Sequence, residues 1–204
     1  GIQRHLNVGL LSPTDTPPVE VVNENGSAQI LIICDHASNA VPLKLNKLGL
    51  DDETLLKHIG WDIGAAKIAR GLSFSLDATA VLTGFSRLVI DANRQLEQPT
   101  SIPEIIDGIT IPGNQTLSKA DRSLRTKEMF CSYHRKISDS ITRLRDKGAS
   151  PALFSVHTFT PSLNGNDRPW HIGVLWNRDP RIAKPLISQL RQNPNKLVVG
   201  DNLP

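Results

Sequence analysis

The 204 residues predict an α/β protein of three layers, with helices packed on both faces of a mostly parallel or mixed sheet. Three observations carry this expectation. Short, continuous apolar runs of the buried-strand type occur at Ala28–Cys34, Ala78–Leu82 and Ala152–Val156. Segments with helical periodicity lie between these runs. No stretch approaches the ~20 apolar residues of a membrane span, and no internal repeat competes with the alternating pattern.

In chain order, residues 1–27 hold Pro13, Pro17, Pro18 and Gly26 and read as an irregular lead-in. The Ala28–Cys34 strand follows. Asp51–His58 has the length and polarity of a short helix. Asp62–Leu76 places small or apolar residues at Ile63, Ala66, Ile68, Ala69 and Leu72, which predicts a helix with Asp62 as N-cap. Ala78–Leu82 and Arg87–Ala92 are expected strands, and the Pro- and Ile-rich Gln98–Gly113 an edge-covering loop. The clearest helix is Lys119–Lys147. Ser118 caps its start, Gly148 ends it, and Phe130, Tyr133, Ile137, Ile141 and Leu144 form one apolar stripe. Strands are expected at Ala152–Val156, His171–Trp176 and Lys196–Gly200. Asp179-Pro180 opens a further helix to about Gln192.

The charge balance is close, 23 basic against 20 acidic residues, with no basic run, so nucleic acid is not an expected partner. Nor is a membrane. Cys34 and Cys131 fall in strand-like and helix-like surroundings and read as free thiols of a reducing, cytoplasmic compartment. The chain reads as one domain over 1–204. Its last strand runs into Asp201–Pro204 with nothing beyond, so the domain is expected to continue past Pro204. Nothing in the sequence sets an oligomeric state.

Open α/β sheets bind ligands outside the carboxyl ends of their strands. His36, Asn93-Arg94, His157 and Asp201-Asn202 all follow expected strands, so topology predicts that they share a rim. Neutral imidazoles are good Zn²⁺ ligands, and His36 and His157 stand in the same relation to a strand end. Asp62, in Gly60-Trp61-Asp62-Ile63-Gly64, is the leading candidate for a third ligand, unless it only caps its helix. Asn39 is a further candidate, with turn stabilisation as the alternative. In Ser86-Arg87-Leu88-Val89-Ile90-Asp91-Ala92-Asn93-Arg94, two guanidinium forks and an amide surround a short apolar run. Arg87, Asn93 and Arg94 are therefore the candidate receptor for a small carboxylate. The structural alternative pairs the arginines with Asp91. His171 begins an expected strand and belongs on the other rim, while His5, His58 and His134 read as solvated or core histidines. Ser38 lies in no G-x-S-x-G turn, and neither dinucleotide nor P-loop fingerprints occur.

Taken together, D-H-A-S-N-A-V-P at Asp35–Pro42, G-W-D-I-G-A at Gly60–Ala65, S-R-L-V-I-D-A-N-R at Ser86–Arg94, the strand-end His157 and W-H-I-G-V-L-W at Trp170–Trp176 resemble the N-formylglutamate amidohydrolase family. The family is distantly similar to zinc carboxypeptidases and aspartoacylases. The resemblance implies a phosphorylase/hydrolase-like α/β/α fold, a carboxylate-binding role for Asn93 and Arg94, and a small N-acylated acidic amino acid as substrate. It implies a zinc-dependent amidohydrolase that removes a formyl or other small acyl group, as from N-formylglutamate. The chain departs from these relatives twice. Asn39 stands where metallopeptidases have the Glu of H-x-x-E. From Thr158 to Pro204 there is no glutamate to serve as a late general base, and Asp167, Asp179 and Asp201 are the only acids. The catalytic base is thus unassigned. A different zinc amidase or carboxypeptidase-like hydrolase, and a non-catalytic binder of acidic metabolites, are the rival readings.

Overall fold

The structure, a computed structural model, describes residues 9–163 and 165–203. His5 lies outside the described residues. The chain divides into two compact units, Gly1–Thr158 and Phe159–Pro204.

The first unit is built on a four-stranded mixed sheet in the order β1-β3-β2-β6. Its strands are β1 (Val19–Val22), β2 (Ile30–Cys34), β3 (Thr79–Thr83) and β6 (Ala152–Ser155). β2 lies parallel to both β3 and β6, and β1 runs antiparallel along β3. Side chains alternate between the faces of a strand. Leu31, Ile33 and Val81 accordingly join one buried cluster with Met129, Tyr133, Ile137 and Leu144. Ile32, Cys34, Ala80 and Leu82 join a second with Ala65, Ala66 and Ala69. Two apolar clusters on opposite faces of one sheet are the three-layer arrangement that the sequence predicts.

Among the described residues, four α-helices belong to this unit. α1 (Asp52–Leu56) starts at Asp51, whose carboxylate accepts from Thr54 N–H. α2 (Ala65–Leu76) buries a face of small residues, Ala65, Ala66, Ala69 and Ser73, and so approaches the sheet closely. α3 (Lys119–Arg125) is capped by Ser118, and a π-helical turn, Thr126–Phe130, joins it to α4 (Cys131–Asp146). The predicted long helix is therefore one interrupted rod. Gln98–Gly113 is not a plain loop: it contains a small hairpin of β4 (Ile105–Ile106) and β5 (Ile109–Thr110).

Arg87–Ala92 is not a strand. It is a buried turn, with Leu88, Val89 and Ile90 at 0%, 0% and 1% exposure inside the first cluster. Buried carbonyls need donors wherever they lie. Here side chains replace a β-ladder: Asn114 Nδ2 donates to Leu88 O, and Arg125 Nη1 donates to Val89 O. The apolar run records burial, and its hydrogen bonds come from distant side chains.

The second unit holds a hairpin, β7 (Ser162–Leu163) with β8 (Asn166–Asp167), and a parallel pair, β9 (Ile172–Val174) with β10 (Val199–Asp201). Helix α5 (Ala183–Arg191) connects that pair. It begins at Ala183, later than predicted; the Asp179 carboxylate accepts from both the backbone N–H and the guanidinium of Arg181, ahead of the helix. His171 Nδ1 accepts from Val198 N–H. Asp201 and Asn202 stand at the end of this parallel pair, a sheet separate from the four-stranded one. No helix among the described residues is long and apolar enough to cross a membrane.

Candidate metal centre

The parallel pairing of β2 with β6, Ile33 opposite Ser155, brings their carboxyl ends to one rim. His36 and His157 leave the sheet there, and their ring centroids are 5.1 Å apart. Asp62 N–H donates to His36 O, which ties the turn before α2 to the end of β2. Gly64 follows at φ +85°, a left-handed conformation that a side chain disfavours, and caps α2 in place of Asp62. The Asp62 carboxylate is thereby free of the helix and faces the histidines. Ligand atoms of His36, Asp62 and His157 all lie within 4.8 Å of one another.

Asp62 Oδ2 is 2.9 Å from His157 Nδ1, and Oδ1 is 3.4 Å from His36 Nδ1. Burial opposes charge on Asp62, but the two imidazoles outweigh it and hold the carboxyl well below its usual range. Burial also opposes charge on His157; Asp35 and Asp62 overcome it and lift the imidazole to about 9. His36 is raised in the same way, against burial, by Asp62 and Asp91. Cys34, two residues before His36 at the end of β2, is pushed up to about 12 by burial and then by Asp62 and Asp35, so it stays a thiol.

One buried atom in this cluster, His36 Nδ1, makes no hydrogen bond, its nearest carboxylate being Asp62 at 3.4 Å. A buried imidazole nitrogen without a partner is costly unless something is bound to it. Two imidazoles, one of them carrying that orphaned nitrogen, and one carboxylate make a donor set that suits Zn²⁺. The residues present fit the ion.

The remaining candidates divide. Arg87 stands beside the cluster, with Nη2 3.0 Å from Asp91 Oδ2 and Nη1 3.9 Å from Asp62 Oδ1. Asn93 and Arg94 are exposed, and they follow the buried turn rather than a strand. Asn39 donates its amide to Leu55 O, the turn-holding alternative. His58 pairs with Asp107 at the surface, and His134 bonds Ala92 O. Sequence reasoning missed Asp35, Asp91 and Tyr133 as members of the site. Tyr133 donates to Asp35 across 98 residues of sequence, a contact no local pattern announces.

The model of the N-formylglutamate amidohydrolase family matches residues 28–204. The chain belongs to that family. Among solved structures, this family member is similar to the gene product Atu2144 from Agrobacterium tumefaciens, with a TM-score of 0.90 and 34% identity over 96% of this chain and 77% of that one. It shares its fold with an N-formylglutamate amidohydrolase from Ralstonia eutropha JMP134, with a TM-score of 0.60 and 14% identity over 91% of this chain and 76% of that one. No curated protein matches.

Proposed function

We propose that this member of the N-formylglutamate amidohydrolase family is a metal-dependent amidohydrolase of N-acylated acidic amino acids, N-formylglutamate being the model substrate. The observation that carries the reading is the buried Nδ1 of His36, without a hydrogen bond, in a cluster with Asp62 and His157. These three residues would hold Zn²⁺. When bound, the ion supplies polarisation of the scissile carbonyl and a lowered pKa for water. Asp62 supplies the negative charge that a divalent cation needs, and His36 and His157 supply nitrogen donors.

Arg87, Asn93 and Arg94 are assigned to the substrate carboxylates. Arg87 is the innermost, since its guanidinium already spans Asp91 and the edge of the cluster. A carboxylate held there would fix the acyl amide next to the three ligands, and such positioning lowers the barrier by removing translational and rotational freedom in advance. Asn93 and Arg94, exposed beside the turn, suit the outer end of a dicarboxylate substrate.

The test is formate release from N-formylglutamate. Chelator treatment should abolish it and added zinc restore it, while His36→Ala should show no restoration. Full activity in chelator-treated protein would overturn the metal reading. Zinc and N-formylglutamate binding with no formate release would instead identify a binding protein.

A further inference from the structure

The two imidazoles of the cluster are flanked by carboxylates in the same way, although the closest contact is at Nε2 in His36 and at Nδ1 in His157. His36 Nε2 lies 2.7 Å from Asp91 Oδ1, and His157 Nε2 lies 3.3 Å from Asp35 Oδ2. In both rings the other nitrogen, Nδ1, faces Asp62. Asp35 and Asp91 are buried, at 6% and 2% exposure, yet nothing in the function above uses them. A buried carboxylate persists only where donors compensate its lost hydration. Asp91 also accepts from Asn93 N–H and Arg87. Asp35 also accepts from Tyr133 Oη at 2.7 Å. Adjacent residues of α4 brace both arms: Tyr133 holds Asp35, and His134 bonds Ala92 O, beside Asp91.

We propose that Asp35 and Asp91 are positioning residues that fix the Nε2–H tautomer of His157 and His36, so that both histidines offer Nδ1 to the metal, with Tyr133 holding Asp35 in place. A neutral imidazole has one N–H and one lone pair. Each Nδ1 also faces a carboxylate, Asp62; with Asp62 and Nδ1 given to the metal, the N–H left on each ring is at Nε2, where Asp91 or Asp35 accepts it. A carboxylate behind a ligating histidine also fixes the ring plane and raises donor strength. The assignment rests on the metal reading of the site and goes beyond it by naming the ligating atoms and what selects them.

The experiment is long-range ¹H–¹⁵N correlation on zinc-loaded protein with ¹⁵N-labelled histidine, paired with zinc affinity from chelator competition. Both His36 and His157 should show a protonated Nε2 and a metal-shifted Nδ1. Asp91→Asn and Asp35→Asn should each weaken zinc by about 10–100-fold, and Tyr133→Phe by about three- to tenfold through the loosened Asp35. The spectrum is taken on the unaltered chain, so it holds even where a variant fails to fold. Tight zinc binding with Nε2 metal-shifted on both rings, or folded Asp→Asn variants of unchanged affinity, would overturn this assignment alone. An unaltered chain with no zinc affinity would overturn the metal reading and this assignment with it.

Discussion

Asp62 and Asn39 compete for one role in the sequence and occupy different environments in the structure. Asp62 faces two imidazoles, while Asn39 gives its amide to Leu55 O. Zinc content should therefore fall to background in Asp62→Ala and stay stoichiometric in Asn39→Ala. The second variant should lose only about 1 kcal/mol of stability from the missing hydrogen bond. The reverse zinc pattern would return Asp62 to a purely structural role. Arg87 carries the second residue-level prediction. Its charge-assisted contact is worth roughly 1.5–3 kcal/mol, so Arg87→Ala should cost about one to two decades in kcat/KM on N-formylglutamate. Arg94→Ala, at the outer end, should cost N-formylglutamate more than N-formyl-leucine, which lacks the outer carboxylate, so the preference for the acidic substrate erodes. Arg87→Lys should rescue only partly, because an ammonium lacks the planar fork. An unchanged kcat/KM in Arg87→Ala would mark Arg87 as a brace for Asp91 alone, and equal losses on both substrates in Arg94→Ala would remove Arg94 from the outer carboxylate.

At the level of elements, the turn Arg87–Ala92 depends on groups far from it in sequence. Arg125, 2% exposed, donates to Val89 O, Gly113 O and Asn114 Oδ1, and Asn114 in turn holds Leu88 O. Arg125→Met keeps much of the volume and strands those acceptors. It should destabilise the protein by about 1–3 kcal/mol in urea denaturation, and an unchanged midpoint would contradict the role given to Arg125. This element also marks where sequence reading stops. β2, β3 and β6 are legible because each is a continuous apolar run, and the start of the α3–α4 rod is legible because Ser118 caps it. Leu88-Val89-Ile90 carries the same apolar signal, yet its hydrogen bonds come from α3 and from the Pro112–Asn114 turn. Composition reports that a segment is buried, not which groups satisfy its backbone.

Across the molecule, the meeting of His36 with His157 is legible because parallel neighbouring strands deliver their ends to one rim. Asp62 is half-legible: Gly60-Trp61-Asp62-Ile63-Gly64 announces a turn into a helix, but only the left-handed Gly64 tells that the carboxylate is released from capping. Asp35, Asp91 and Tyr133 are not legible as site members, since their contacts join a strand end, a buried turn and the middle of α4. The proposed function stands or falls on a catalytic metal held by His36, Asp62 and His157 at the sheet rim of the first unit. Anomalous diffraction at the zinc edge from crystals grown with one equivalent of zinc tests it most directly. One strong peak is expected within bonding distance of His36 Nδ1, Asp62 and His157 Nδ1, lost in His36→Ala. A fully occupied zinc peak bound by other residues, with these three side chains unliganded, would contradict it.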